Sequence, residues 1–251
     1  MKPPFIELTN GEQIPILFED RSVIAVDKPA GWMLVPTTWQ RTQHNLQAAV
    51  ESSIAAGQFW ARSRNLKFLR YIHRLDAETT GVLLFAKTPG AVRSYGDLFE
   101  SRRMEKIYLV VVEGVPQQSD WICREEIGEA SSSPKRMKID PRHGKTAETH
   151  FKVLVSAGDR TLVEARPVTG RTHQIRVHLA HAGVPVLGDS LYGKALDAMA
   201  LRSVMLAYRD PFTRKQVCVK APVDEFLKSY SFSRDEIGST KWINTSRSHS
   251  K

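Results

Sequence analysis

The sequence predicts a mixed α/β or α+β sheet protein. Short β-branched or alternating apolar runs recur along the chain, helical stripes separate some of them, and others lie close enough to pair as hairpins. With 251 residues, 41% of them hydrophobic, the chain can bury the core of one large domain or two modest ones without disulfide staples.

Residues 1–15 are polar and turn-rich and read as an N-terminal extension. The first definite strand is 23–26, closed by the turn Asp27-Lys28-Pro29-Ala30-Gly31. Leu46, Val50 and Ile54 form an i, i+4, i+8 stripe that predicts a helix over 44–56, with Gly57 as its stop. A basic, aromatic stretch follows, and then residues 82–86 are a continuous apolar run, as a strand covered on both faces requires. Residues 90–103 read as a helix with Val92, Tyr95 and Phe99 on one side. Strands are expected at 107–113, 149–155 and 161–165, with a basic loop or hairpin over 128–145 that carries Lys135, Arg136, Lys138, Arg142 and Lys145. Residues 171–183 fit both periods, since Ile175, Val177 and Leu179 alternate while Ile175, Leu179 and Ala182 form a helical stripe. A helix is preferred, with Thr172 as its cap and Gly183 as its end. The Ser-rich, aperiodic residues 229–251 read as a mobile tail.

Composition narrows the function. Lys and Arg number 36 against 27 Asp and Glu, a formal charge of +9, which favours a polyanionic partner such as nucleic acid. No apolar run approaches the roughly 20 residues of a membrane span, and the N-terminus lacks the build of a signal peptide. Cys123 and Cys218 are too few for a disulfide framework and lack zinc-ligand neighbours, so a reducing, cytoplasmic setting without bound metal is expected. His173, His178 and His181 have the wrong spacing for a zinc pair. Gly144-Lys145-Thr146 lacks the earlier glycine of a phosphate loop, and no Gly-x-Gly-x-x-Gly offers a dinucleotide cradle.

The informative stretch is His73-Arg74-Leu75-Asp76-Ala77-Glu78-Thr79-Thr80-Gly81, placed where a loop enters the buried strand. Alone, it could be no more than a structural ion pair. Three further pieces stand in order with it: Asp27-Lys28-Pro29-Ala30-Gly31, Lys106-Ile107-Tyr108, and Thr169-Gly170-Arg171-Thr172-His173-Gln174-Ile175-Arg176-Val177-His178. Together they resemble the pseudouridine synthases of the RluA type, over roughly residues 16–228. Thr80 replaces a serine of that pattern. Around 201–211, where the family often has histidines, Arg202 and Asp210 stand instead.

The resemblance implies an α+β catalytic domain over 16–228, built on a mixed, mostly antiparallel sheet flanked by helices and loops. There is no room before Val23 for the family's S4 RNA-binding module. It implies isomerisation of uridine in ribosomal or transfer RNA, with Asp76 as nucleophile and no cofactor. A nucleophilic carboxylate must be ionised, and the resemblance makes Arg176 the cation that keeps it so. Tyr108 would stack on the target base, and Ile175 would wall it. Arg74 would enter the RNA stack as the uridine flips out, with His73, Lys106 and Arg171 as further RNA contacts. The rival readings are a non-catalytic RNA-binding module and a glycosidase, the latter needing a second carboxylate for which Glu78 is the only near neighbour. A monomer is the default expectation.

Overall fold

The computed structural model describes residues 1–34, 44–131, 136–238, 240 and 242. Strands β1 (Phe5–Glu7), β2 (Gln13–Glu19) and β3 (Val23–Lys28) are followed by helices α1 (Leu46–Ala55) and α2 (Phe59–Arg62). Next come β4 (Arg70–Tyr71), β5 (Thr80–Ala86), α3 (Pro89–Glu100), β6 (Glu105–Glu113) and β7 (Asp120–Cys123). A hairpin of β8 (Ile127–Ala130) and β9 (Arg136–Ile139) precedes β10 (Thr149–Ala157), β11 (Arg160–Pro167) and α4 (Gln174–His181). The described chain ends with β12 (Leu201–Arg209), β13 (Gln216–Lys220), α5 (Asp224–Ser229) and α6 (Arg234–Ile237).

Eleven strands form one sheet whose main path is β1-β2-β3-β5-β12-β6-β11-β10-β7, with β4 paired to β5 and β13 to β12. Its pairings are antiparallel except β5 with β12, which run parallel through Arg202↔Thr80 and Ser203↔Gly81. β8 and β9 stand apart as a two-stranded ribbon, the hairpin expected between 128 and 145. The architecture is α+β, mixed and mostly antiparallel.

The sheet is covered on both sides, and β5 shows why its sequence is an unbroken apolar run. Leu83 and Phe85 face a core shared with Leu46 and Val50 of α1, Trp60 of α2 and Ile175 and Leu179 of α4. Val82, Leu84 and Ala86 face Ala91, Tyr95 and Leu98 of α3. On that second face, Ile107, Leu109 and Val111 of β6 meet Leu227 and the C-terminal residues. Capping sets the helix starts: Asn45 accepts the Ala48 N–H at 3.1 Å, and Thr88 accepts the Ala91 N–H at 3.1 Å ahead of Pro89. α3 stops at Glu100, short of the expected Arg103, because Arg102 turns to φ 58°.

Three expectations need correction. Residues 1–15 are not a mere extension: β1 and the first three residues of β2 are a hairpin in which Ile6, Leu8 and Ile14 are buried, and Asn10-Gly11 is the tight-turn signal between them. The C-terminal segment is likewise packed as far as it is described. Phe232, Ile237 and Trp242 are buried against β6, and the Trp242 indole N–H donates to Glu164 at 2.6 Å. Three apolar anchors among serines carry no periodicity, so the pattern hid them. Thirdly, Thr172 does not cap α4. His173 occupies the cap position at φ 54°, and the Gln174 side chain reaches back to accept the Arg171 N–H at 2.9 Å. Of the predicted loop charges, Lys135 lies outside the described residues.

Trp242→Ala removes a buried aromatic and the donor to Glu164, so it should lower unfolding stability by about 3 kcal/mol. A denaturant melt with an unchanged midpoint would show that the C-terminal segment contributes nothing to the core.

Candidate active site

The loop between β4 and β5 carries Asp76 and is fastened mainly through its backbone. Lys28, fully buried at the end of β3, donates from Nζ to the carbonyls of Pro29, Ala77 and Thr79 at 2.9, 2.7 and 3.0 Å. The Gly31 N–H adds a bond to the Ala77 carbonyl at 2.9 Å. At the loop's exit, Gly81 has φ +105°, and a Cβ there would lie 2.0 Å from the Ser203 carbonyl oxygen, so only glycine fits the β5–β12 seam. Arg202, next to Ser203, pairs with Asp27 at 2.7 Å and ties β12 to β3 across β5. The Asp76 carboxylate remains 26% exposed.

Arg176 reaches it from α4. Its Nη1 donates to Asp76 Oδ2 at 3.0 Å, while Nε and Nη2 make a two-point contact with Asp189, both at 2.7 Å. Asp189 is completely buried and also accepts backbone N–H groups of Leu191 and Tyr192 at 2.9 and 3.3 Å. Burial opposes the Asp189 charge, but the Arg176 contacts and these N–H groups outweigh it and hold the carboxyl below its usual range. Burial likewise opposes the guanidinium, and Asp189 with Asp76 pushes it above the ordinary arginine value. The geometry bears on the bland reading of Asp76 as an ion-pair partner. Arg176 already has a complete buried partner in Asp189, so Asp76 occupies its open, solvent-facing side.

Tyr108 and Ile175, 8% and 7% exposed, belong to the core cluster beneath this pair. Tyr108 lies opposite Ser203 in the ladder; burial raises its phenol to about 12, and the negative charge of Asp76 adds to the effect. Lys106 donates to the Thr169 carbonyl at 3.0 Å, bracing the turn before α4, and burial brings its ammonium down to about 8. Arg74 is exposed and, among the described residues, its guanidinium has no hydrogen-bond partner.

His73 and Arg171 are placed differently from the rest. The His73 ring stacks on Phe99 with centroids 4.6 Å apart, and its Nε2 accepts the Leu84 N–H at 3.1 Å. Burial, with the Lys106 charge nearby, lowers it to about 3, so it is a neutral acceptor braced against β5. Arg171 Nε donates to the Thr146 carbonyl at 2.9 Å. His178 is a core residue between Thr149 and the Glu125 carbonyl. Asp210 accepts from the Tyr95 hydroxyl and the Thr213 N–H, so it too is structural.

Two residues escaped sequence reasoning. Asp189 and Tyr192 lie in Gly188-Asp189-Ser190-Leu191-Tyr192-Gly193, where the two glycines and an aspartate announce a tight turn. The Tyr192 ring lies 5.2 Å from the Arg176 guanidinium carbon. No cluster of metal-ligating side chains occurs among the described residues, and no helix there is long and apolar enough to cross a membrane.

The family model for RNA pseudouridylate synthase matches residues 22–181, which span Asp76, Tyr108 and Arg176. The chain belongs to this family. It is 35% identical over 222 residues to the uncharacterised RNA pseudouridine synthase YhcT of Bacillus subtilis, covering 86% of this chain and 71% of the relative. It is 34% identical over 226 residues to ribosomal large subunit pseudouridine synthase C of Escherichia coli, covering 85% and 67%. Human RNA pseudouridylate synthase domain containing 1 has a similar structure, with a TM-score of 0.67 at 29% identity over 91% of this chain and 89% of that one. The enzyme is therefore an isomerase of the RNA pseudouridine synthase class.

Burial brings the Lys28 ammonium down to about 8 from the ordinary 10.5, against the pull of Glu78 and Asp76. Between those values the unfolded chain binds more protons, so this group's contribution to stability rises as pH climbs from 8 to 10.5. Over the same range the neutral amine has too few hydrogens for its carbonyls. A 13C-lysine titration should show two Cε resonances with midpoints near 8, that of Lys106 and a second that is absent in Lys28→Arg; an ordinary lysine midpoint for the second would mean that the clamp is open to water.

Proposed function

We propose that this synthase converts uridine to pseudouridine in ribosomal or transfer RNA, with Asp76 as the nucleophile. What supports this is the position of Asp76 on the open side of an arginine that already has a buried partner. One carboxylate oxygen receives Arg176, and among the described residues Oδ1 accepts no hydrogen bond, so one oxygen is available to a substrate.

In this reading the carboxylate attacks the flipped-out nucleoside and the N1–C1′ bond breaks. The freed base turns, a C5–C1′ bond forms, the C5 proton leaves, and N1 gains a proton as Asp76 is released. Atoms and electrons balance without oxidant, reductant or cofactor. Tyr108 offers an aromatic face on which a turning base stays stacked, since a π-face tolerates rotation as a fixed hydrogen bond does not. Ile175 supplies the apolar wall. Arg74, two residues before Asp76 and without a side-chain hydrogen-bond partner among the described residues, occupies the space that the uridine vacates in the RNA stack, offsetting the few kcal/mol of unstacking.

The exposed Arg136, Lys138, Arg142 and Lys145 grip the phosphate backbone from the β8–β9 hairpin and the segment after it. Ribosomal RNA is one candidate substrate because a 34% identical relative is named for the large ribosomal subunit. Both cysteines are free thiols, in keeping with a reducing cytoplasmic location.

Two measurements test the reading. With RNA tritiated at uridine C5, from cells lacking the gene, the wild type should release tritium and Asp76→Asn should release none while binding RNA within a few fold of wild type. Release by both proteins would remove Asp76 from the chemistry, and release by neither, with binding retained, would favour an RNA-binding module. Affinity should also fall steeply between low and moderate salt, as the displacement of counterions from phosphates requires; salt-insensitive binding would contradict a backbone grip.

A further inference from the structure

The two residues that the sequence reading missed lie on one physical path from the basic hairpin to the reacting carboxylate. Asp189 accepts the Leu191 and Tyr192 N–H groups, and its carbonyl accepts the Gly193 N–H at 2.9 Å. This tight turn seats the Tyr192 ring beside Arg176, 5.2 Å from the guanidinium carbon. The same ring lies 5.9 Å from the guanidinium carbon of Arg136 on β9. One aromatic ring thus serves two cations, the first touching Asp76 and the second exposed on the hairpin.

The phenol oxygen makes the link directional. It accepts the Met137 N–H of β9 at 2.8 Å and lies 2.8 Å from His173 Nδ1, at the left-handed residue that opens α4. β9 is laddered only to β8 among the described residues, and β8 is bridged to the following segment at Ile127–Lys145. Arg136 bonds the Leu191 carbonyl, and a small apolar cluster joins Met137, Ile139 and Tyr192 to Val177, the residue after Arg176. The same cluster includes Ile127 of β8 and Ala147 before β10, so the polar attachments of β9 end on the Tyr192 turn and its apolar ones on α4 and Ala147.

We propose that Tyr192 is a positioning residue that fastens the β8–β9 hairpin to Arg176, so that the hairpin's hold on RNA is coupled to the presentation of Arg176 to Asp76. The inference rests on the roles given above to Asp76 and Arg176. Its ring and its hydroxyl have separable duties. The ring holds the plane of the Arg176 guanidinium, and the hydroxyl holds the hairpin through the Met137 N–H.

Two substitutions separate them. Tyr192→Phe keeps the ring and loses only the hydroxyl. Amide hydrogen exchange, read by mass spectrometry on the peptide over 136–139, should then speed up by about tenfold, as expected for loss of a local restraint. KM for RNA should rise several-fold with kcat within about twofold of wild type. Tyr192→Leu removes ring and hydroxyl together, and kcat should also fall by about tenfold, the loss being rescued in the phenylalanine variant. A merely structural tyrosine would not divide KM from kcat in this way.

Unchanged exchange or unchanged KM in Tyr192→Phe would overturn the hairpin link. A wild-type kcat in Tyr192→Leu would overturn the role of the ring. The exchange measurement needs no turnover, so it tests the link even if the wild type releases no tritium, the result that would instead defeat the proposed chemistry.

Discussion

A buried guanidinium shared between two carboxylates is the interaction on which the remainder of this site depends. An arginine taken out of water is costly unless its donors are met, and Asp189 meets two of them with a geometry that leaves the third side open. Asp189 could not be buried alone either; it is held by Arg176 and by the N–H groups of its own turn. The strand ends, α4 and the turn after it must therefore all be in place before Asp76 meets its cation. The charge that faces the solvent is the product of one that never does.

The sheet provides the rigidity for that arrangement. β5 is buried on both faces, so the loop leading into it starts from one of the least deformable strands of the molecule. Glycine at position 81 brings β5 and β12 into close approach, and the Arg202–Asp27 pair spans the same seam. Lys28 then holds the loop from beneath. These restraints act on the backbone, which leaves the Asp76 side chain free to face the cleft.

Much of this was legible in the sequence, for identifiable reasons. The apolar run at 82–86 and the stripe of Leu46, Val50 and Ile54 are strong periodic signals, and both became the expected elements. Asp76, Tyr108 and Arg176 stood out because their neighbours form a recognisable set of blocks, and the structure brings Arg176 onto Asp76 with Tyr108 close enough to feel its charge. Asp189 and Tyr192 did not stand out, since their importance is a matter of which buried donor they meet, and no periodicity encodes that. His73 was read as an RNA contact from the same resemblance, but its ring stacks on Phe99 and accepts the Leu84 N–H of β5. The N-terminal hairpin was obscured by its own turn residues, and the C-terminal anchors by the serines around them.

The Lys28 clamp has a consequence for how this loop can vary. An ammonium that binds main-chain carbonyls is indifferent to the side chains those carbonyls belong to. Ala77, immediately after Asp76, can thus be exchanged without disturbing the hold on the loop, whereas the charge of Glu78 helps to keep the ammonium protonated. Sequence diversity is admissible right beside Asp76, and a library randomised at position 77 would sample new contacts to RNA on an unaltered frame.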